Sequence, residues 1–311
     1  MDSRPVEVVA AVIERPDGSF LLAQRPAGKV YAGYWEFPGG TVELGEPLGA
    51  AVARELHEEL GIDVETAHPW IVRNYTYPHA AVRLNFFRVR AWRGEPHGRE
   101  DQQLAWQSLS AISVSPLLPA NGPVLRALGL PFEYAITHAG QIGCEEQLRR
   151  LERRLAQGLR LIQIRERRMA ASDLESFAKT VIAAARPFGA KVLINSEVGL
   201  ARRLDADGVH FTAAQLARLE NRPSLPWCAA SCHMAAEIEH AARIGIDFAV
   251  LGPVHATPTH PDSNPLGWEN FSVLAQGAEL PVFALGGVST SELSTAWSCG
   301  AHGVAMVRGS W

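Results

Sequence analysis

Residues 40–62, GTVELGEPLGAAVARELHEELGI, set carboxylates at fixed intervals along one amphipathic segment. Glu55, Glu58 and Glu59 stand at i, i+3 and i+4, so a helix gathers them on one surface beside an apolar stripe of Val52, Leu56 and Leu60. Like charges that close repel unless a cation neutralises them. An oxygen-only donor set suits a hard ion, Mg2+ or Mn2+, of the kind that bridges carboxylates to phosphate oxygens. Glu46 can add a further carboxylate, and Arg54 can steer one through a charge-assisted hydrogen bond. The chemistry these residues suggest is metal-assisted attack on a phosphate.

The order is Gly40, five residues, Glu46, seven residues, then Arg54-Glu55-Leu56-x-Glu58-Glu59-x-Gly61-Ile62. Coincidence of these fixed positions by chance is on the order of once in 10^8 or rarer. The stretch is identified as a Nudix box. The likeness continues through AQRPAGKVYAGYWEFPGG, AWRGEPHGRE and LPANGPVLRAL, which resemble the matching segments of the MutT-type Nudix hydrolases over about residues 6 to 127. That resemblance implies metal ligation by Glu55, Glu58, Glu59, the Gly39 carbonyl and a distal Glu100. It implies that Arg25, Phe37 and Asn121 hold the phosphates or the purine, Asn121 offering donor and acceptor to a base edge. The expected reaction is Mg2+-dependent hydrolysis of 8-oxo-dGTP to 8-oxo-dGMP and pyrophosphate, with Glu55 or Glu100 taking the proton. One departure stands out: His79-Ala80 follows Tyr77-Pro78 where the family carries Asp-Arg, which removes a contact on the base side.

These residues need a scaffold, and the first half of the chain reads as strands around one strong helix. The strands are VEVVAAVIE, SFLLAQR after a Pro16-Asp17-Gly18 turn, WEFPGG, IVRNYTYP and VRLNFFRVRAW. This predicts an α+β Nudix domain over residues 1–130. Proline and glycine then cluster in LPANGPVLRALGLPFEY, and the pattern changes.

From residue 131 to 311 short apolar strands alternate with helices: YAITH, LRLIQIRE, KVLINS, GVHF, WCAASCH, DFAVLGPV, PVFALGGV and GVAMVRG. Eight such units fit a parallel (β/α)8 TIM barrel. The chain stops at Trp311 directly after the eighth, so the last helix is expected to be missing. This half resembles the thiamine-phosphate synthases and their TenI-type thiazole tautomerase relatives. The likeness rests on Gln163-Ile164-Arg165-Glu166-Arg167, Ile194-Asn195, Ala206-Asp207-Gly208-Val209-His210, Gly252-Pro253 with Thr257-Pro258-Thr259, and Gly286-Gly287-Val288. Ser196 and Gln215 stand where the synthases carry Mg2+-binding aspartates. Arg167 and His260 replace their pyrophosphate-binding lysines, and Arg308 a serine. The expectation is a barrel that is not a working synthase, with His233 matching the tautomerase histidine as a candidate proton shuttle.

The bulk composition excludes other classes. The 311 residues are 47% hydrophobic and 20% charged with a net charge of -4, which gives no electrostatic reason to bind duplex nucleic acid or an anionic membrane. No stretch approaches the roughly 18 unbroken apolar residues of a membrane span. The N-terminal run is broken by Glu7 without a basic flank or cleavage site, which reads as cytoplasmic. Cys144, Cys228, Cys232 and Cys299 have no metal or redox spacing and read as small buried hydrophobes. The expected partner is a small-molecule nucleoside triphosphate, with a thiamine-pathway phosphate possible in the barrel. The alternative is a Nudix hydrolase of thiamine-related pyrophosphates with a tautomerase or ligand-sensing barrel.

Overall fold

The computed structural model describes residues 5–78, 80–99, 102–257 and 264–311. The chain divides into two compact units, Met1–Gly129 and Leu130–Trp311.

In the first unit β1 (Val6–Ile13) pairs in parallel with β5 (Ala81–Arg93), and β5 pairs antiparallel with β4 (Asp63–Thr76). A second sheet joins β3 (Trp35–Glu36), β2 (Phe20–Gln24) and β6 (Leu104–Gln107). The turn at residues 15–19 closes as the sequence reads: the Gly18 N–H donates to the Arg15 carbonyl and Ser19 N–H to the Asp17 carboxylate, with Gly18 at φ +83. β4 begins eight residues before the run IVRNYTYP. Its first part carries Pro69 and three register shifts against β5, so the period-2 pattern is broken there. β6 is only four residues long and gives no periodic signal of its own.

Helix α1 (Leu48–Leu60) buries Ala51, Val52, Leu56 and Leu60 against Val9, Ala11, Ile13 and Val89 of the first sheet. It ends at Gly61, whose left-handed φ of +68 and N–H donation to the His57 carbonyl complete a glycine C-cap. The buried stripe fixes the rotation of the helix about its axis, and so presents the other face, which carries the glutamates. A short helix, α2 (Gly122–Leu128), closes the unit and packs Val124 and Ala127 into the second core.

The second unit is a closed barrel of eight parallel strands: β7 (Glu133–Ile136), β8 (Leu161–Ile164), β9 (Lys191–Asn195), β10 (Gly208–Phe211), β11 (Trp227–Cys232), β12 (Phe248–Leu251), β13 (Val282–Leu285) and β14 (Gly303–Met306). β14 pairs with β7 to close the ring. The helices between them are α3 (Ala139–Ile142), α4 (Cys144–Ala156), α5 (Ala171–Ala185), α6 (Val198–Arg203), α7 (Ala213–Leu216), α8 (Ala235–Arg243), α9 (Gly267–Ala275) and α10 (Leu293–Ser298). After β14 there is a single 3-10 turn, Arg308–Ser310. Tyr134, Leu161, Leu193, Phe248 and Phe283 fill the barrel interior, while separate clusters pack the helices on its outside. Cys228 and Cys232 are buried as the sequence suggests; Cys144, at the start of α4, is exposed and Cys299 half-buried. Among the described residues no helix is long and apolar enough to cross a membrane.

Candidate active site and a second cavity

The strand and helix ends of the first unit surround a cavity of about 440 Å³. Val9 N–H donates to the Gly40 carbonyl and Ala11 N–H to the Pro38 carbonyl, which lays the glycine pair along β1. Gly39 has φ +148, and a Cβ there would overlap the Val9 carbonyl oxygen. A Cβ on Gly40 would overlap the Glu55 carboxylate, so only glycine lets this carboxylate lie against the loop backbone. The Gly-Gly pair thus builds a cradle for Glu55.

Arg54 ties the carboxylates together. Its Nε and Nη2 donate to the two oxygens of Glu46 at 2.9 Å each, and its Nη1 to Glu55 at 2.9 Å and Glu58 at 3.1 Å; Nη2 also reaches the Thr41 carbonyl. These hydrogen bonds hold the Glu46 carboxyl below the usual carboxylate range and raise the Arg54 guanidinium above its own. Among the described residues no three acidic, histidine or cysteine groups converge to hold an ion in this arrangement, in which Arg54 hydrogen-bonds Glu46, Glu55 and Glu58. The oxygen-only donors and the glycine cradle still suit a hard divalent ion.

Of the residues singled out from sequence, Arg25, Phe37, Gly39, Glu55, Glu59 and Asn121 line this one cavity. Glu58 is not among its walls; its side chain is 56% exposed and joins the others through Arg54. Glu100 lies outside the described residues, as do His79 and His260. The segment just before Glu100 is anchored to the end of α1, with Arg99 N–H donating to the Glu59 carbonyl and His97 N–H to that of Leu60.

Phe37 packs between Phe20 and Phe86 and also faces the cavity. Asn121, 3% exposed, sits in the 3-10 turn Pro119–Asn121, and its Nδ2 makes a long 3.4 Å contact to the Trp35 carbonyl. Arg25 does not stand open for phosphate in this arrangement. Its Nη1 lies 2.6 Å from the Glu36 carboxylate, and its Nε donates to the Val30 carbonyl at 2.7 Å.

Sequence reasoning passed over Glu36, Lys29, Tyr31 and Tyr77, which share the same walls. Burial pushes the Glu36 carboxyl above the usual range against the pull of Arg25. Burial and the nearby Glu36 charge push the Tyr77 hydroxyl up to about 12. The signal available was the run of tyrosines, Tyr31, Tyr34, Tyr75 and Tyr77, flanking the glycine-rich segment. Tyr31 adopts φ +59, which costs a bulky residue about 1 to 2 kcal/mol.

The barrel holds its own cavity, of about 530 Å³. Its walls include Arg165, Arg167 and Arg308, together with His210 and His233, and no carboxylate among the described residues. His233 is exposed at the end of β11; its Nδ1–H donates to the Gly252 carbonyl at 2.9 Å, leaving Nε2 as the second ring nitrogen. Below it runs a polar line: Gln163 Nε2 to the Tyr134 hydroxyl at 3.0 Å, that hydroxyl to His210 Nδ1 at 3.2 Å, and His210 Nε2 to Ser231 Oγ at 2.9 Å. Burial pushes the His210 imidazole down to about 3, so it is uncharged at neutral pH. Gln215 caps α7 through its amide oxygen, which accepts from Thr212 N–H, and donates from Nε2 to the Ser196 carbonyl at 3.2 Å. A carboxylate at this position could not make that donation.

A glycine-cradled glutamate helix facing a cavity marks the first unit as a pyrophosphohydrolase domain, and a closed (β/α)8 barrel follows it in the same chain. The chain belongs to two families: residues 9–127 match the NUDIX domain and residues 133–309 the thiamine monophosphate synthase family. It is similar to the 8-oxo-dGTP diphosphatase of Haemophilus influenzae, 36% identical over 128 residues that make up 41% of this chain and 94% of that protein. It is 42% identical to the CTP pyrophosphohydrolase of Escherichia coli over 122 residues, 39% of this chain and 90% of the other. The second half is 32% identical over 183 residues, 57% of this chain, to 96% of an Aquifex aeolicus protein provisionally assigned as thiamine-phosphate synthase 2.

Proposed function

We propose that this pyrophosphohydrolase acts on nucleoside triphosphates, with 8-oxo-dGTP as its substrate and 8-oxo-dGMP and pyrophosphate as products. The observation that carries the reading is the sharing of one cavity by Asn121, a buried amide that can read a base edge, and by Glu55 and Glu59. Mg2+ would be held by Glu55, Glu58, Glu59 and the Gly39 carbonyl, with Glu100. When bound, it supplies Lewis-acid stabilisation of phosphate charge and eases deprotonation of the attacking water. Glu55, lying against Gly40 and hydrogen-bonded by Arg54, takes the proton. Water attacks the β-phosphorus and the bond from that phosphorus to the α-phosphate oxygen breaks.

A second reading, CTP as substrate, is favoured by the higher identity to the CTP pyrophosphohydrolase. Glu36 would accept from an exocyclic amino group, which cytosine and guanine both carry. Steady-state hydrolysis of 8-oxo-dGTP, dGTP, CTP and thiamine diphosphate side by side separates the readings; preference for thiamine diphosphate would discard both.

For the barrel, we propose a ligand-holding role for a thiamine-pathway phosphate in place of synthase chemistry, supported by the arginine-lined cavity and by the engagement of Gln215 with Ser196. Thermal stabilisation of the barrel by thiazole or pyrimidine phosphates tests it. His233 is the group that a tautomerase activity would use, and feeding the thiazole tautomer with no acceleration over buffer would remove that role.

A further inference from the structure

The loop between β2 and β3 holds Tyr31 at φ +59, in the left-handed region that favours glycine. Two glycines of the same loop, Gly28 and Gly33, take φ +91 and +82, so the turn itself makes no demand for a bulky ring at the third such position. A strained residue persists only where its surroundings fix it. Here they do. The Val30 carbonyl, which accepts from Arg25 Nε at 2.7 Å, belongs to the peptide plane that sets the φ of Tyr31. On the other side, Tyr34 N–H donates to the Tyr31 carbonyl at 3.0 Å. The ring makes a T-shaped contact with Tyr34 at 5.1 Å and lies 5.4 Å from Tyr77, which in turn is 4.5 Å from Tyr75. Tyr31 and Tyr77 both face the cavity that contains Asn121.

We propose that Tyr31 is a specificity-determining residue of the hydrolase: its ring, backed by Tyr77 at an interplanar angle of 57°, is the aromatic wall that takes the base of the nucleotide by its face. Arg25 is the positioning residue that holds this wall in place. The inference rests on the nucleoside triphosphate reading above. Because every base has a π-face, the wall favours nucleotides over base-free pyrophosphates, and edge contacts at Asn121 and Glu36 select among the bases.

The test compares full-length wild type, Tyr31→Gly and Tyr31→Phe on dGTP, CTP and the base-free methyl triphosphate. Tyr31→Gly is expected to raise KM for the nucleotides by roughly 5- to 150-fold with kcat little changed. KM for methyl triphosphate should stay as in wild type. Relief of the left-handed backbone offsets part of the packing lost in the Tyr77–Leu118–Ala120 cluster, so the variant should stay folded with a lowered melting temperature. Tyr31→Phe, which keeps the ring, should restore KM. An equal rise for all three substrates, or no rise, overturns the wall. Calorimetric binding of dGMP and CMP keeps two failures apart. If wild type turns over no nucleoside triphosphate but monophosphate affinity still falls in Tyr31→Gly, the reaction reading fails and the wall stands. Monophosphate binding that does not depend on Tyr31 removes the wall.

Discussion

The two cavities of this chain differ most in their carboxylates. The first carries Glu36, Glu55 and Glu59 together with Arg25 and Lys29, while the second carries three arginines and no carboxylate among the described residues. A site with acidic oxygens can recruit a cation and use it on a phosphate; a site with only cationic and neutral groups can hold an anion but has nothing to anchor a hard metal. The comparison teaches that a phosphate-ester cavity is defined by its counter-charges as much as by its fold. Gln215 makes the point at one residue: its amide donates to the Ser196 carbonyl, a bond that a carboxylate cannot form.

The largest effect that would break this contrast is on the first cavity. Glu55→Gln is expected to lower kcat by about 10^2 to 10^4, measured by pyrophosphate release, with ligand-induced stabilisation of the barrel unchanged. Next in size is Leu56→Ala, on the buried face of α1. Removing a side chain that is 0% exposed should cost the first unit about 2 to 5 kcal/mol, read by calorimetry as a lowered transition for that unit alone. In the reverse direction, the double change Ser196→Asp and Gln215→Asp would place two carboxylates at the barrel mouth. Mg2+ should then stabilise the barrel by about 1.4 kcal/mol at ten times its Kd, and no Mg2+-dependent shift would mean that carboxylates alone do not make the difference.

Two pH effects sharpen the comparison further. The buried His210 has its folded pKa depressed to about 3, below its unfolded value near 6.5. Its contribution to stability is therefore complete above that unfolded value and is lost as pH falls from there toward 3. His210→Asn should flatten this part of the stability–pH curve. In the first cavity Glu36 is raised by burial, with Arg25 opposing. Its contribution favours folding below the unfolded carboxylate pKa and is lost as pH rises through the folded one. Arg25→Met should move the Glu36 titration, followed by carboxyl 13C shift, to higher pH; an unmoved midpoint would mean that Arg25 is not the group opposing burial.

Much of the first site was legible in one dimension because its geometry is helical. Glu55, Glu58 and Glu59 share a face by the 3.6-residue period, and Gly61 ends α1 where a glycine stop belongs. The eight barrel strands were legible for a related reason, since a strand buried on both faces reads as an unbroken apolar run. β6 escaped notice because four residues paired to a distant strand carry no period. The long, bulged β4 was found only in its regular half.

By itself the sequence determined two domains, the rotation of α1 and the absence of paired carboxylates at Ser196 and Gln215. These are local facts of period, spacing and side-chain type. Only the tertiary structure decided that Arg54 would join Glu46, Glu55 and Glu58, that Arg25 would turn to Glu36 and Val30, and that Tyr31 would be held left-handed beside Tyr77. The reason is that an arginine's partner and a loop residue's φ depend on which distant groups the folded sheets bring within hydrogen-bonding reach, and sequence spacing does not encode that distance.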